Sequence, residues 1–201
     1  MKTGNRSRKT TLLGLLTAIL MVFGMTPLGY LNIGPLAISF NMIPVAIGAA
    51  ALGPVGGAIL GGVFGMTSFL QCIGIGGSSA MGVILFDINP FLAFVQRFVP
   101  RVLAGFLVGV IYSAARRFFK PGLAGGIAGF FAAFLNTVLF MGALILLFGN
   151  TQYLTDLIAG RNVLLFVCTF VGINAVAEML ATTLVAGALC SALERSGLMR
   201  R

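Results

Sequence analysis

The stretch "FVQRFVPRVLAG", Phe94–Gly105, sets two permanently charged guanidinium groups, Arg97 and Arg101, four residues apart in a run otherwise suited to lipid. Four residues is about one helical turn, so both arginines share a face, and Gly105 and Gly109 continue it as a stripe of small residues. A charge near the centre of a bilayer costs at least about 2.5–3.5 kcal/mol, so such a chain must turn it toward protein or a water-filled cavity. Whether this run crosses a membrane therefore decides the fold. Of 201 residues, 59% are hydrophobic and 8% charged, with a mean hydropathy of +1.08, far from the roughly half-apolar mix of soluble domains. The composition implies an all-α integral membrane protein, one helical bundle with no sizeable soluble domain.

A spanning helix needs about 20 mostly apolar residues. Glycine, proline and charge divide the chain into six expected transmembrane spans, at 10–30, 36–52, 54–72, 90–114, 122–148 and 163–193, forming a single domain over 1–201. The second and third meet at "ALGPVGGA", too short to cross anything, and so form a tight helical hairpin. Between the third and fourth, Ile73–Asn89 is rich in glycine and serine and reads as a loop folded over one end of the bundle. The basic N-terminal head and apolar run resemble a secretory signal, but no small-residue cleavage site follows, so it reads as a retained first span.

The net charge of +9 is no signature of nucleic-acid binding, because the basic residues flank apolar segments. Lys2, Arg6, Arg8, Lys9, Arg116, Arg117, Lys120, Arg195, Arg200 and Arg201 all fall on one side of a six-span bundle. The other side holds Arg161, Asp87 and Asp156. Excess positive charge marks the inner face, so both termini are expected in the cytoplasm.

Within the spans remain Arg97, Arg101 and Glu178, with the amides of Gln71, Gln96, Asn136 and Asn174. At about 1.5 Å per residue, Arg101, Asn136 and Asn174 lie roughly 17 Å from the outer ends of their helices. Glu178 lies about one turn deeper and Arg97 about one turn nearer the outside. Such a layout describes a pocket reached from outside. Arg101 and Glu178 are equally suited to a buried ion pair between the fourth and sixth spans, and Arg97 to snorkelling toward the interface. Two guanidiniums against one carboxylate still leave a positive charge for which a carboxylate-bearing ligand is the natural partner. Asn136 and Asn174 suit helix pairing as well as ligand contact, and Asn41 and Tyr30 lie near the outer ends of their spans. Gly122, Gly125 and Gly129 form another small stripe, as do Gly14 and Ala18 on the first span, where a partner helix could dock.

Catalysis finds no support. There is no histidine, no HExxH, no Walker loop and no nucleophile elbow, and nothing calls for a metal or cofactor. Cys72, Cys168 and Cys190 sit alone in apolar runs and read as packing residues. With Glu178 the one carboxylate in the bilayer, a stand-alone secondary transporter or channel is a weaker alternative to a component driven by other subunits.

The order of the blocks "LGYLNIGPLAISFNMIPVAIGAAALGPVGGAILGGVFGMTSFL", "FVPRVLAG", "FLNTVLFMGALILLFG" and "INAVAEMLATTLVAGAL" resembles the S components of energy-coupling-factor (ECF) vitamin importers, most closely the pantothenate-type group. The resemblance covers nearly the whole chain. It implies a six-helix binder in a bacterial cell membrane that takes a small vitamin from outside. Such a component topples on a transmembrane coupling subunit when two cytoplasmic ATPase subunits act. Pantothenate is the leading substrate, with riboflavin, another vitamin or a precursor as the alternative. An Ala-x-x-x-Ala patch on the first helix touches the coupling subunit in this family; here Gly14 and Ala18 occupy it. The chain departs from the group at Asn41-Met42-Ile43-Pro44, which lacks the histidine usual before the Ile-Pro. It departs again at Asn174-Ala175-Val176-Ala177-Glu178, where the group tends to read Asn-Gly-Ile-Pro-Glu. The expected substrate contacts are Arg97 for a carboxylate, Asn136 and Asn174 for hydroxyl or amide groups, Arg101 and Glu178 for the floor, and Asn41.

Overall fold

A computed structural model describes residues 2–26, 29–33, 36–77, 79–158 and 163–197, with side chains for all of these except 2–6, 30–38, 163–171 and 173. Its elements are α1 (Lys2–Met25), β1 (Tyr30–Ile33), β2 (Leu36–Ser39), α2 (Met42–Leu70), a 3-10 turn (Gln71–Ile73), α3 (Ala80–Ile88), α4 (Pro90–Ala115), α5 (Pro121–Phe148), α6 (Gln152–Ile158) and α7 (Val163–Arg195). Among the described residues five helices are long and apolar enough to cross a membrane, the second of them Met42–Ile73. The protein is an all-α membrane bundle with one small β-hairpin.

The second of these is not straight. As a continuous rod its 32 residues would reach roughly 48 Å, well beyond a hydrocarbon core of about 30 Å. Gly53 breaks it, with φ 82° and ψ −172°, and Pro54 follows. A positive φ is open to glycine at little cost, and proline at the next position starts a new helix with its φ already set. The arms 42–52 and 54–70 fold back on one another. A Cβ added to Gly57 would stand 2.8 Å from the Cβ of Ala49, and one on Gly48 would strike the Leu60 side chain. The expected hairpin at "ALGPVGGA" is present.

Small residues then set the helix pairs. The second arm of α2 runs antiparallel to α4. A Cβ on Gly57 would meet the Gly105 carbonyl, one on Gly61 the Arg101 carbonyl, and one on Gly65 the Phe98 Cα at 2.9 Å. A Cβ on Gly109 would lie 2.5 Å from the Pro54 Cα. Backbones this close leave no room for a methyl group, which is how helices gain van der Waals contact in lipid. Gly125 and Gly129 of α5 do the same against α7, where added Cβ atoms would crowd Cys190 and the Thr182 carbonyl, while one on Gly122 would rest in ordinary contact with Ser191 at 3.4 Å. Cys72 and Cys190 are buried free thiols; the side chain of Cys168 lies outside the described residues.

Three expectations are corrected. The first span ends at Met25 rather than residue 30, and residues 36–39 open no helix. They form β2, which pairs antiparallel with β1 in the register Tyr30 with Ser39 and Ile33 with Leu36. Gly29 and the Gly34-Pro35 dipeptide in this sequence disfavour helix continuation. The Ile73–Asn89 segment is also not all loop. Gly74, Gly76 and Gly77 take positive φ, but Ser79 then caps α3, its Oγ accepting the Gly82 N–H at 3.2 Å. Asn89 similarly caps α4, accepting the Leu92 N–H at 3.0 Å, with Pro90 in the first turn.

Candidate functional site

Arg97 and Arg101 are buried, at 6% and 5% exposure, so neither snorkels to the interface. Arg97 donates to Ser68 Oγ on α2 at 3.3 Å and to Ser79 Oγ at 3.2 Å. It thereby ties α4 to α2 and to the start of α3. Arg101 donates to the Arg97 carbonyl at 2.7 Å. Its guanidinium lies between two rings, 4.5 Å from the Phe64 centroid and 4.9 Å from that of Phe140. Phe140 also covers Arg97, at 5.2 Å. One ring of α5 thus spans both charges, each contact contributing about 0.5–2 kcal/mol depending on desolvation.

Glu178 is buried on α7, and its Oε1 accepts the Ser39 backbone N–H at 2.5 Å, joining α7 to the end of β2. The carboxylate thus closes on an amide, and Arg101 acts on it through space. Thr182, one turn on, hydrogen-bonds the Glu178 carbonyl. The Ser39 hydroxyl accepts from Asn41 Nδ2 at 3.1 Å, whereas the buried Oδ1 of Asn41 has no hydrogen-bond partner. Asn136, one turn before Phe140 on α5, likewise has a buried, unpartnered Oδ1. Asn174 is partly buried one turn before Glu178. Arg97, Arg101 and Phe140 form one cluster, and Glu178, Ser39 and Asn41 form another.

The chain has four acidic side chains. Glu194 pairs with Arg116 at 2.8 Å, Asp156 accepts from Gln152 at 2.8 Å, Asp87 is exposed on α3, and Glu178 is bound to Ser39. The buried cluster therefore carries more guanidinium than carboxylate. In a low-dielectric interior such an excess favours an anion.

Sequence reasoning passed over several members. Phe64 and Phe140 look like ordinary lipid-facing aromatics, and Ser68 and Ser79 like small packing residues. Gln96 was visible as a mid-span amide only. It is fully buried, and both its Nε2 and its Oε1 lack hydrogen-bond partners. Leaving such a group unsatisfied costs about 1–3 kcal/mol.

Gly14 and Ala18 are exposed on α1, and nothing lies within 4 Å of a Cβ built on Gly14, while Leu16 and Leu20 between and beyond them are buried. Separately, Val55, Ile59, Gly62, Met66, Phe98 and Val102 line an apolar groove of about 530 Å³ outside the polar clusters.

Apolar helices long enough to cross a bilayer, packed around buried charge, define a multi-pass cell-membrane protein. Residues 8–190 match the family described as ECF transporter, substrate-specific component, and the chain belongs to that family. It is similar to the Pantothenate transporter PanT of Leuconostoc mesenteroides subsp. mesenteroides, 32% identical over 92% of this chain and 90% of that protein. It is also 27% identical to the Pantothenic acid transporter PanT of Lactococcus lactis subsp. cremoris, over 79% of this chain and 85% of that one.

Proposed function

We propose that this substrate-specific component binds pantothenate from the outer face of a bacterial membrane and releases it inward by toppling against a coupling subunit driven by two cytoplasmic ATPases. The carrying observation is the pair of buried arginines beneath Phe140, which exceeds the single buried carboxylate near it. Arg97, its guanidinium oriented by Ser68 and Ser79, takes the ligand carboxylate. Asn136, Asn174 and Asn41 meet hydroxyl or amide groups, and Arg101 with Glu178 frames the floor. Two relatives whose names specify pantothenate support the choice of ligand.

The whole chain is one domain with six membrane crossings, counting the two arms of α2 separately, and has both termini in the cytoplasm. The Gly53 turn and the charge asymmetry of the loops support it. The Gly14 and Ala18 face of α1 meets the coupling subunit, where small exposed residues admit a helix closely. Purified protein should bind pantothenate without ATP and should copurify with a coupling subunit and ATPases when all are coexpressed. Uptake by the protein alone in liposomes would contradict the shared mechanism.

A further inference from the structure

We infer that Gln96 reads the amide of the bound ligand and thereby sets its specificity, an inference that rests on the pantothenate reading above. Three observations meet at this residue. Its carboxamide is completely buried, yet neither the donor Nε2 nor the acceptor Oε1 has a partner. Pro100, one turn later inside α4, has no N–H to give the Gln96 carbonyl, so the helix leaves that acceptor without its usual donor. Gln96 also precedes Arg97 directly, putting neutral and charged recognition on neighbouring residues.

Helical phase separates Gln96 from the seam between α4 and α2. The second arm of α2 runs along Phe98, the Arg101 carbonyl and Gly105; at about 100° per residue, Gln96 lies on the opposite side of α4. An amide serving to join helices is hydrogen-bonded across the joint, as Gln71 is to the Gly24 carbonyl at 2.6 Å. Gln96 makes no such bond. A carboxamide offering one donor and one acceptor side by side complements a secondary amide, which presents one carbonyl and one N–H. In pantothenate two methylenes separate that amide from the carboxylate, so the ligand can extend from Gln96 at its amide to Arg97 at its carboxylate, two side chains that leave α4 about 100° apart.

The test is calorimetric titration of the full-length protein in detergent with two ligands, pantothenate and the analogue whose amide N–H is replaced by an ester oxygen. Wild type should prefer pantothenate by about tenfold or more, because the ester leaves the Gln96 acceptor unmet. Gln96→Met should bind pantothenate about tenfold more weakly and show no preference between the two, and Gln96→Leu should behave alike. Without ligand, both variants should melt no lower than wild type, since each removes a buried unsatisfied amide. A variant that keeps the wild-type preference overturns the inference, and so does one that melts lower or fails to fold. Failure of wild type to bind pantothenate overturns the underlying reading instead.

Discussion

The carboxylate of Glu178 accepts the backbone N–H of Ser39, 139 residues away in sequence, and so fastens the end of the β-hairpin to α7. A hydrogen bond to a charged group contributes about 1.5–3 kcal/mol, and its loss strands a half-buried donor. Glu178→Leu should therefore lower the melting temperature clearly, whereas Glu178→Gln, which keeps an acceptor, should lose about half as much. Thermal unfolding in detergent distinguishes them. Equal melting of both variants and wild type would show that the contact contributes nothing.

Arg101 gives a second expectation. Its guanidinium lies over the rings of both Phe64 and Phe140, a contact that a lysine ammonium does not reproduce. Arg101→Lys should be destabilising despite keeping the charge. A double-mutant cycle of Arg101→Met with Phe64→Leu should yield a coupling of about 0.5–2 kcal/mol. Additive effects would contradict the stacked arrangement.

The glycines of α2 and α1 should respond in opposite ways. A Cβ on Gly61 would strike the Arg101 carbonyl, whereas one on Gly14 meets nothing within 4 Å. Gly61→Ala should cost about 1–3 kcal/mol by forcing two backbones apart. Gly14→Ala should leave the bundle intact and raise its stability by up to about 1 kcal/mol through helix propensity. Melting curves of the two variants decide this.

The α1 face makes a separable prediction. Ala18→Trp projects from an exposed position and should abolish copurification with the coupling subunit while leaving pantothenate affinity within about twofold, because binding and assembly use different faces. Loss of both together would place α1 in the binding site.

Much of the bundle was legible because lipid imposes a simple rule, long apolar helices with charge kept at the ends. The hairpin at Gly53 and Pro54 could be read because two conformationally special residues sit together. What escaped was short and local. The β-hairpin and α3 depend on backbone pairing and on a Ser79 cap, which hydropathy does not register. The site was legible only in part. Depth counting placed Arg97 and Arg101 inside the bundle but could not foresee that Phe140 covers both, or that Glu178 turns to a backbone amide. Gln96 carried the same depth signal as Arg97 and was passed over because an amide costs lipid less than a charge.

The most direct measurement is calorimetric titration of pantothenate into ATP-free wild type and Arg97→Ala, with melting temperature recorded for each. Wild type should bind tightly, and the variant, still folded, should lose about 100-fold or more in affinity, because a charge-assisted contact to the ligand carboxylate is gone. Equal affinity in the two proteins would contradict it.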